Sequence, residues 1–282
     1  MKKLVVNADD FGISPGVSHG IVEAFQKGIV RSTSLMVNLP SAQEACRLAS
    51  GLDGLKVGIH LNLTCGVPVS PSALVPTLVD RNGKFHSLPR MLLRLLSARI
   101  RMEEIVREWD AQIARARDFG IHPSHLDTHH HVHFHPALAT VLWDLAVKHG
   151  ILRVRKPGAL LKLSFWKTSM FAQGAAYSSL AKLFALKGMG KLSRLPENTP
   201  SWGAKSLWGI GYIPAGEYQT ALERFLPSVN GGITEIVCHP GYVDSELSHW
   251  DSWTESREEE LRALTSEKTV DLIRSEGIQL AA

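Results

Sequence analysis

Short apolar runs of strand length alternate with amphipathic segments of helix length along almost the whole chain, and this alternation limits the fold more than any other feature. Leu4-Val5-Val6 begins a run that ends at Asn7-Ala8-Asp9-Asp10-Phe11-Gly12, and Val17, Ile21, Val22 and Phe25 follow at near-helical spacing. Ser14 suits the N-cap, Pro15 the first helical position and Gly28 the stop. The pattern continues with a strand from Val30 to Val37, a helix from Ser41 to Ala49 and a strand from Leu55 to Thr64. An irregular Pro-rich stretch, Val67 to Pro89, precedes a charged helix from Met102 to Phe119. Beyond a His-rich strand end come a helix from Ala137 to His149, a short strand Leu152 to Pro157 and another at Ser206 to Ile210. A helix near Glu217 to Phe225, a strand around Ile236 and helices within Glu255 to Ser275 complete the series. Such βα alternation implies a parallel sheet, and seven or eight units predict a (β/α) barrel with its catalytic groups at the C-terminal strand ends.

Four of these strand ends carry polar residues suited to chemistry. The first delivers the adjacent carboxylates Asp9 and Asp10; in an extended strand they point to opposite faces, so one can ligate a metal while the other acts as a base. The second carries His60 within an apolar run, and another ends in Cys238-His239-Pro240-Gly241. The remaining one opens the densest segment, since seven of the thirteen histidines lie between His122 and His135. Imidazole is the commonest protein metal ligand and moves protons near neutral pH. The run is internal and broken by Leu126, Asp127 and Val132, which argues against an expression tag.

Composition narrows the class. A chain of 282 residues suits one enzyme domain spanning 1–282, no apolar run reaches membrane-spanning length, and Met1-Lys2-Lys3 leads into too few apolar residues for a signal peptide. Three scattered cysteines, Cys46, Cys65 and Cys238, fit a reducing cytoplasm. The net charge of +4 is modest, and no recognition motif accompanies it, which argues against nucleic acid as a partner.

The Asn-Ala-Asp-Asp-Phe-Gly opening, the Gly58-Ile59-His60-Leu61 segment, the His125-Leu126-Asp127-Thr128-His129-His130-His131-Val132-His133 run, the Cys-His-Pro-Gly segment and the closing Arg257 to Leu264 stretch resemble the YdjC-like carbohydrate deacetylases, which include chitooligosaccharide deacetylases. The landmarks stand in the family's order and cover nearly the whole chain. The resemblance implies a distorted TIM-like (β/α) barrel that removes an N-acetyl group from an amino sugar with a divalent cation, usually magnesium. Carried over by position, it implies Asp10, His60 and His129 as metal ligands and Asp9 as general base. His129 is the first of the triple histidine, with His125 as the competing position four residues earlier. His239 is the candidate general acid, Arg155 a group that orients Asp9 or grips a sugar hydroxyl, and Asp127 a partner that fixes a histidine tautomer. One carboxylate and two imidazoles would also suit zinc on ligand softness. The stretch Thr33 to Asn38 is similar to a branch associated with hopanoid lipids, so the expected substrate is a chitooligosaccharide or a glycolipid such as an N-acetylglucosaminyl hopanoid.

One region stands apart. From Leu145 to Pro196 there is no Asp or Glu, while Lys and Arg number ten, and two segments within it are amphipathic and basic. We read about 158–200 as a helical insertion, a lid or homodimer element packed on the barrel. The alternative is contact of 158–195 with the inner membrane surface or with an amphiphilic substrate. Two other function classes fit part of the pattern: a metal-dependent phosphoesterase, which usually needs more ligands, and a non-catalytic sugar-binding protein, which leaves paired Asp9 and Asp10 without a purpose.

Overall fold

The computed structural model describes residues 1–156, 204–210, 213–254 and 256–282; the predicted insertion at 158–200 lies outside them. The first unit forms as its sequence dictates. β1 (Lys2–Phe11) runs into α1 (Pro15–Lys27), where the Ser14 hydroxyl accepts from the Val17 amide at 3.3 Å and Gly28 follows the last turn. β2 (Ser32–Leu35), α2 (Ala42–Ser50) and β3 (Lys56–Leu61) continue the alternation.

The Pro-rich stretch is more ordered than its composition suggests. Glu108 accepts from the Val69 and Ser70 amides, Glu104 accepts from Thr77, and a helix absent from the sequence expectation, α3 (Leu88–Leu96), closes the stretch. Both glutamates project from α4 (Met102–Asp118). β4 (Leu126–Thr128) is followed by the irregular His129–Phe134 turn and α5 (Pro136–Lys148). The strand expected at Leu152 to Pro157 reduces, among the described residues, to one parallel bridge from Val154 to Leu126. The C-terminal part comprises β5 (Ala204–Trp208), α6 (Tyr218–Phe225), β6 (Gly232–Cys238), α7 (Leu247–Trp250), α8 (Arg257–Thr265), α9 (Glu267–Ser275) and a short β7 (Ile278–Ala281).

All described strand pairs are parallel, in the order β4-β3-β2-β1-β6-β5, and the sheet forms a half-barrel flanked by helices. β7 pairs with the start of β1, Lys2 to Val5, while β2 pairs with its end, Asn7 to Phe11. The strands divide their residues between two faces. Leu4, Val6, Ala8, Ile59, Leu61, Ile236 and Cys238 join the hydrophobic core shared with Val17, Ile21 and Ala24 of α1. Gly20 lets α1 approach the chain after β6, since a Cβ there would lie 2.5 Å from the Gly241 Cα.

Candidate active site

The opposite strand faces are polar. Asn7 and Asp9 of β1, Ser32 and Ser34 of β2, His60 of β3, Asp127 of β4 with His125 before it, and Glu235 of β6 are all buried. Hydrogen bonds tie most of them together across strands, while Ser32 Oγ is buried without a partner among the described residues. Asn7 Nδ2 donates to Asp9 Oδ1 and to Ser34 Oγ, both at 2.7 Å, and Ser34 Oγ donates to Asp127 Oδ2 at 2.7 Å. Buried polar groups persist when each finds such partners.

Asp9 and Asp10 depart from the alternation expected of a strand. Asp10 has a left-handed backbone, φ 70°, and the β1–β2 register shifts between Ala8 and Phe11. This irregularity turns the second carboxylate back, so the pair converges instead of diverging: His60 Nε2 lies 3.4 Å from Asp10 Oδ1 and 3.9 Å from Asp9 Oδ2. A short polar side chain tolerates this backbone better than a branched one.

Asp10 is held on both oxygens. Its Oδ1 lies 3.1 Å from His129 Nδ1, and its Oδ2 accepts from Arg257 Nη2 at 2.8 Å. Burial raises the pKa of this carboxylate, but Arg257 and the two histidines outweigh it and hold the group well below its usual range. His60 donates from Nδ1 to Asp127 Oδ1 at 2.8 Å, which aims Nε2 at the carboxylate pair. Burial alone would lower His60, yet Asp127 and Asp9 raise it to about 10.

One donor atom each from Asp10, His60 and His129 lies within 4.8 Å of the others. The second nitrogen of His129, Nε2, is buried with no hydrogen-bond partner, an orphan of the kind a ligand satisfies. One carboxylate and two imidazoles are a fitting donor set for a divalent ion with open positions left over, and the negative field that keeps a proton on His60 also favours a cation. Asp9, His60 and Asp127 form a second close group, but Arg155 already occupies their negative field.

Arg155 is fully buried, which rules out a surface cation. Its Nη1 and Nη2 each donate to Asp9 at 2.7 Å, Nη2 also lies 2.9 Å from Asp127 Oδ2, and Nε donates to Glu235 Oε1 at 2.7 Å. Burial raises Asp9, and Arg155 reverses the effect so that its pKa falls below the ordinary value. Asp127 is lowered by Arg155 and His60 against the same burial penalty.

The other predicted residues have contacts of their own. His125 Nε2 pairs with Ser34 Oγ at 3.1 Å and Nδ1 with Ser124 Oγ at 2.9 Å; both nitrogens face hydroxyls. His130 Nδ1 pairs with Thr64 Oγ1 at 2.9 Å, and its ring lies on His129 with centroids 3.9 Å apart. His133 bridges Thr128 Oγ1 and the Arg155 carbonyl. His239 follows β6 on the rim, half-buried; its amide donates to Glu260 Oε2 at 2.6 Å and its ring lies 6.1 Å from Trp253. The structure adds Asn7, Ser34, Arg257 and Glu235 to the set. All four stand inside segments that the sequence singles out, Glu235 as a polar residue within the apolar strand that ends at His239.

A family model described as YdjC-like protein matches residues 3–275. A carbohydrate deacetylase of Geobacillus stearothermophilus is 35% identical over 280 residues, covering 98% of this chain and 94% of that one. Another, from Clostridium beijerinckii, is 34% identical over 278 residues, with 99% and 97% covered. A crystal structure from Enterococcus faecalis V583, described as a candidate cellobiose-phosphate cleavage protein, is similar with a TM-score of 0.77 at 29% identity, covering 99% of this chain and 97% of that one.

Proposed function

The chain belongs to the YdjC-like protein family, and from that membership we propose that it is a carbohydrate deacetylase, a hydrolase that removes the N-acetyl group of an amino sugar. The observation that carries the reading is the convergence of Asp9 and Asp10 on one histidine, which sets a candidate base beside a candidate metal ligand. Held by Asp10, His60 and His129, a divalent cation would polarise the amide carbonyl and acidify water.

The chain's own groups supply the rest. Asp9 accepts the proton of the attacking water; its lowered pKa keeps it in the acceptor form throughout the neutral range. Arg155 grips both Asp9 oxygens and fixes the direction of the carboxylate. Asp127 keeps His60 in one tautomer. His239, on the rim of the neighbouring strand, gives a proton to the leaving amine. The resemblance implies magnesium as the cation, and the two imidazoles also suit zinc.

The substrate is an N-acetylated amino sugar, free as a chitooligosaccharide or lipid-linked. Among the described residues no helix is long and apolar enough to cross a membrane. The proposal puts the enzyme in the cytoplasm, at the inner membrane face if the sugar is lipid-linked.

The test is acetate release by metal-reconstituted protein from N-acetylglucosamine, diacetylchitobiose and a glycolipid bearing N-acetylglucosamine. Asp9→Asn is expected to lower kcat by about 100- to 10,000-fold, the range of a lost general base. No release from any of the three by metal-loaded wild-type protein would overturn the reading and bring phosphoester hydrolysis forward.

A further inference from the structure

We propose that Glu235 is a positioning residue of this site, acting through Arg155 to hold the Asp9 carboxylate in its working orientation; the inference rests on the deacetylase reading. Glu235 touches none of Asp10, His60 and His129 in any hydrogen bond or ion pair among the described residues; it accepts from Arg155 Nε at 2.7 Å. It lies in the middle of β6, in register with Val5 of β1 and Leu207 of β5, so its backbone is fixed on both sides. Asp9 stands higher on the same face, at the end of β1.

Among the described residues, the Arg155 backbone has no full strand pairing, and His133 Nε2 bonds its carbonyl at 3.1 Å. Arg155 follows the single Val154–Leu126 bridge, with its amide donating to the Leu126 carbonyl at 3.1 Å. The direction of its guanidinium is therefore set by its carboxylate partners. Two of these, Asp9 and Asp127, belong to the site and are what Arg155 must orient. Held only along its Nη edge, a planar guanidinium can pivot and carry Asp9 with it. The Nε bond to Glu235 removes that freedom and ties the plane to the interior of the sheet. Catalytic groups need such outer support to stay within fractions of an ångström of a productive geometry.

Burial pushes Glu235 up to about 7 even with Arg155 beside it. An acid at this depth is costly to desolvate, and its bond to the buried Arg155 guanidinium offsets that cost. Its presence is explained by the bond it makes.

The test compares Glu235→Leu, which removes the acceptor, with Glu235→Gln, which keeps an oxygen for Nε. Expected for Glu235→Leu is a fall in kcat of tenfold or more, with KM within twofold and metal affinity unchanged. Glu235→Gln is expected to restore kcat to within about threefold of wild type. In an Asp9→Asn background Glu235→Leu should cost nothing further, because both changes act on one carboxylate. If Glu235→Leu does not fold, Glu235→Asp replaces it; one methylene short, it should lower kcat where Glu235→Gln does not.

A kcat unchanged per folded molecule, or a loss of equal size in the Asp9→Asn background, would overturn the inference. An activity-independent arm uses NMR of labelled arginine side chains. Wild-type Arg155 should show separate Nη signals from slow rotation about Nε–Cζ, and Glu235→Leu should average them. Wild-type protein that releases no acetate would sink the deacetylase reading alone; the NMR arm would still judge the positioning role, and unaltered Nη signals would sink that too.

Discussion

The Arg257 guanidinium divides itself between Asp10 Oδ2 at 2.8 Å and Asp251 Oδ2 at 2.7 Å, while its Nε donates to the Trp253 carbonyl at 2.9 Å. That division turns Asp10 Oδ1 toward His60 and His129 and keeps the carboxylate ionised despite burial. A lysine at this position is a point charge and cannot reproduce a three-way fork. Arg257→Lys should therefore lower stability by about 1–3 kcal/mol, as expected when buried acceptors lose part of their hydrogen bonding while the charge stays. It should also weaken divalent-metal binding at least tenfold, read by calorimetric titration beside a thermal melt. Unchanged metal affinity would mean that Asp10 is oriented by something else. Local sequence conceals this role, because Arg257 opens an Arg-Glu-Glu-Glu run with the composition of a solvated helix face. Asp9, Asp10 and His60 stand out for the opposite reason: each is a polar residue at the end of, or within, an apolar strand, where packing alone would not place it, whereas His129 is singled out of its histidine run only by the family resemblance.

β3 presents Gly58 and His60 on the same face, and the His125 ring lies directly over Gly58. A Cβ at Gly58 would fall 2.3 to 2.4 Å from three atoms of that ring, closer than real contacts permit. Gly58→Ala should push His125 off Ser34 or shift β3 itself, and with it His60. The expected cost is about 1–3 kcal/mol, with weaker metal binding; an unchanged melting temperature and metal affinity would show that the ring has somewhere to go. At this scale the order of strands and helices was readable from hydrophobic period, down to the Ser14 cap. What the period does not encode is a single backbone choice. The left-handed Asp10, and the equally left-handed His130 and His131, with φ 55° and 50°, each redirect side chains that an ideal strand or turn would send elsewhere. α3 was hidden by a proline-rich approach, and β7 by having only the four residues Ile278–Ala281.

The described residues bury a polar cluster beside the apolar core, and this predicts how the protein responds to acid. Burial lowers His125 to about 4 and His133 to about 3, and holds His130 and His131 well below the ordinary imidazole value. An unfolded histidine titrates near 6.5, so below that pH the unfolded chain binds protons that the folded one refuses. The stability these four supply is complete above about pH 6.5 and drains as pH falls. Glu235 has the opposite sign: raised to about 7, it binds its proton in the fold first and returns stability between about pH 7 and 4.3. Burial raises Glu108 and Glu260 as well, which softens the fall further down. His60, at about 10, is charged in the fold across this whole window, and its contribution is lost only toward alkaline pH. Four groups that refuse protons outweigh the one that takes a proton early, so stability falls as pH drops below about 6.5. Asp9, Asp10 and Asp127, all lowered, add their own loss only below about pH 4. Thermal melts of metal-free protein from pH 8 to 4 separate the two sources. A melting temperature that begins to fall near pH 6.5 assigns the acid sensitivity to the buried imidazoles. One that holds flat until pH 4 would assign it to the aspartates, and would mean that the histidine segment is open to protons in the folded state.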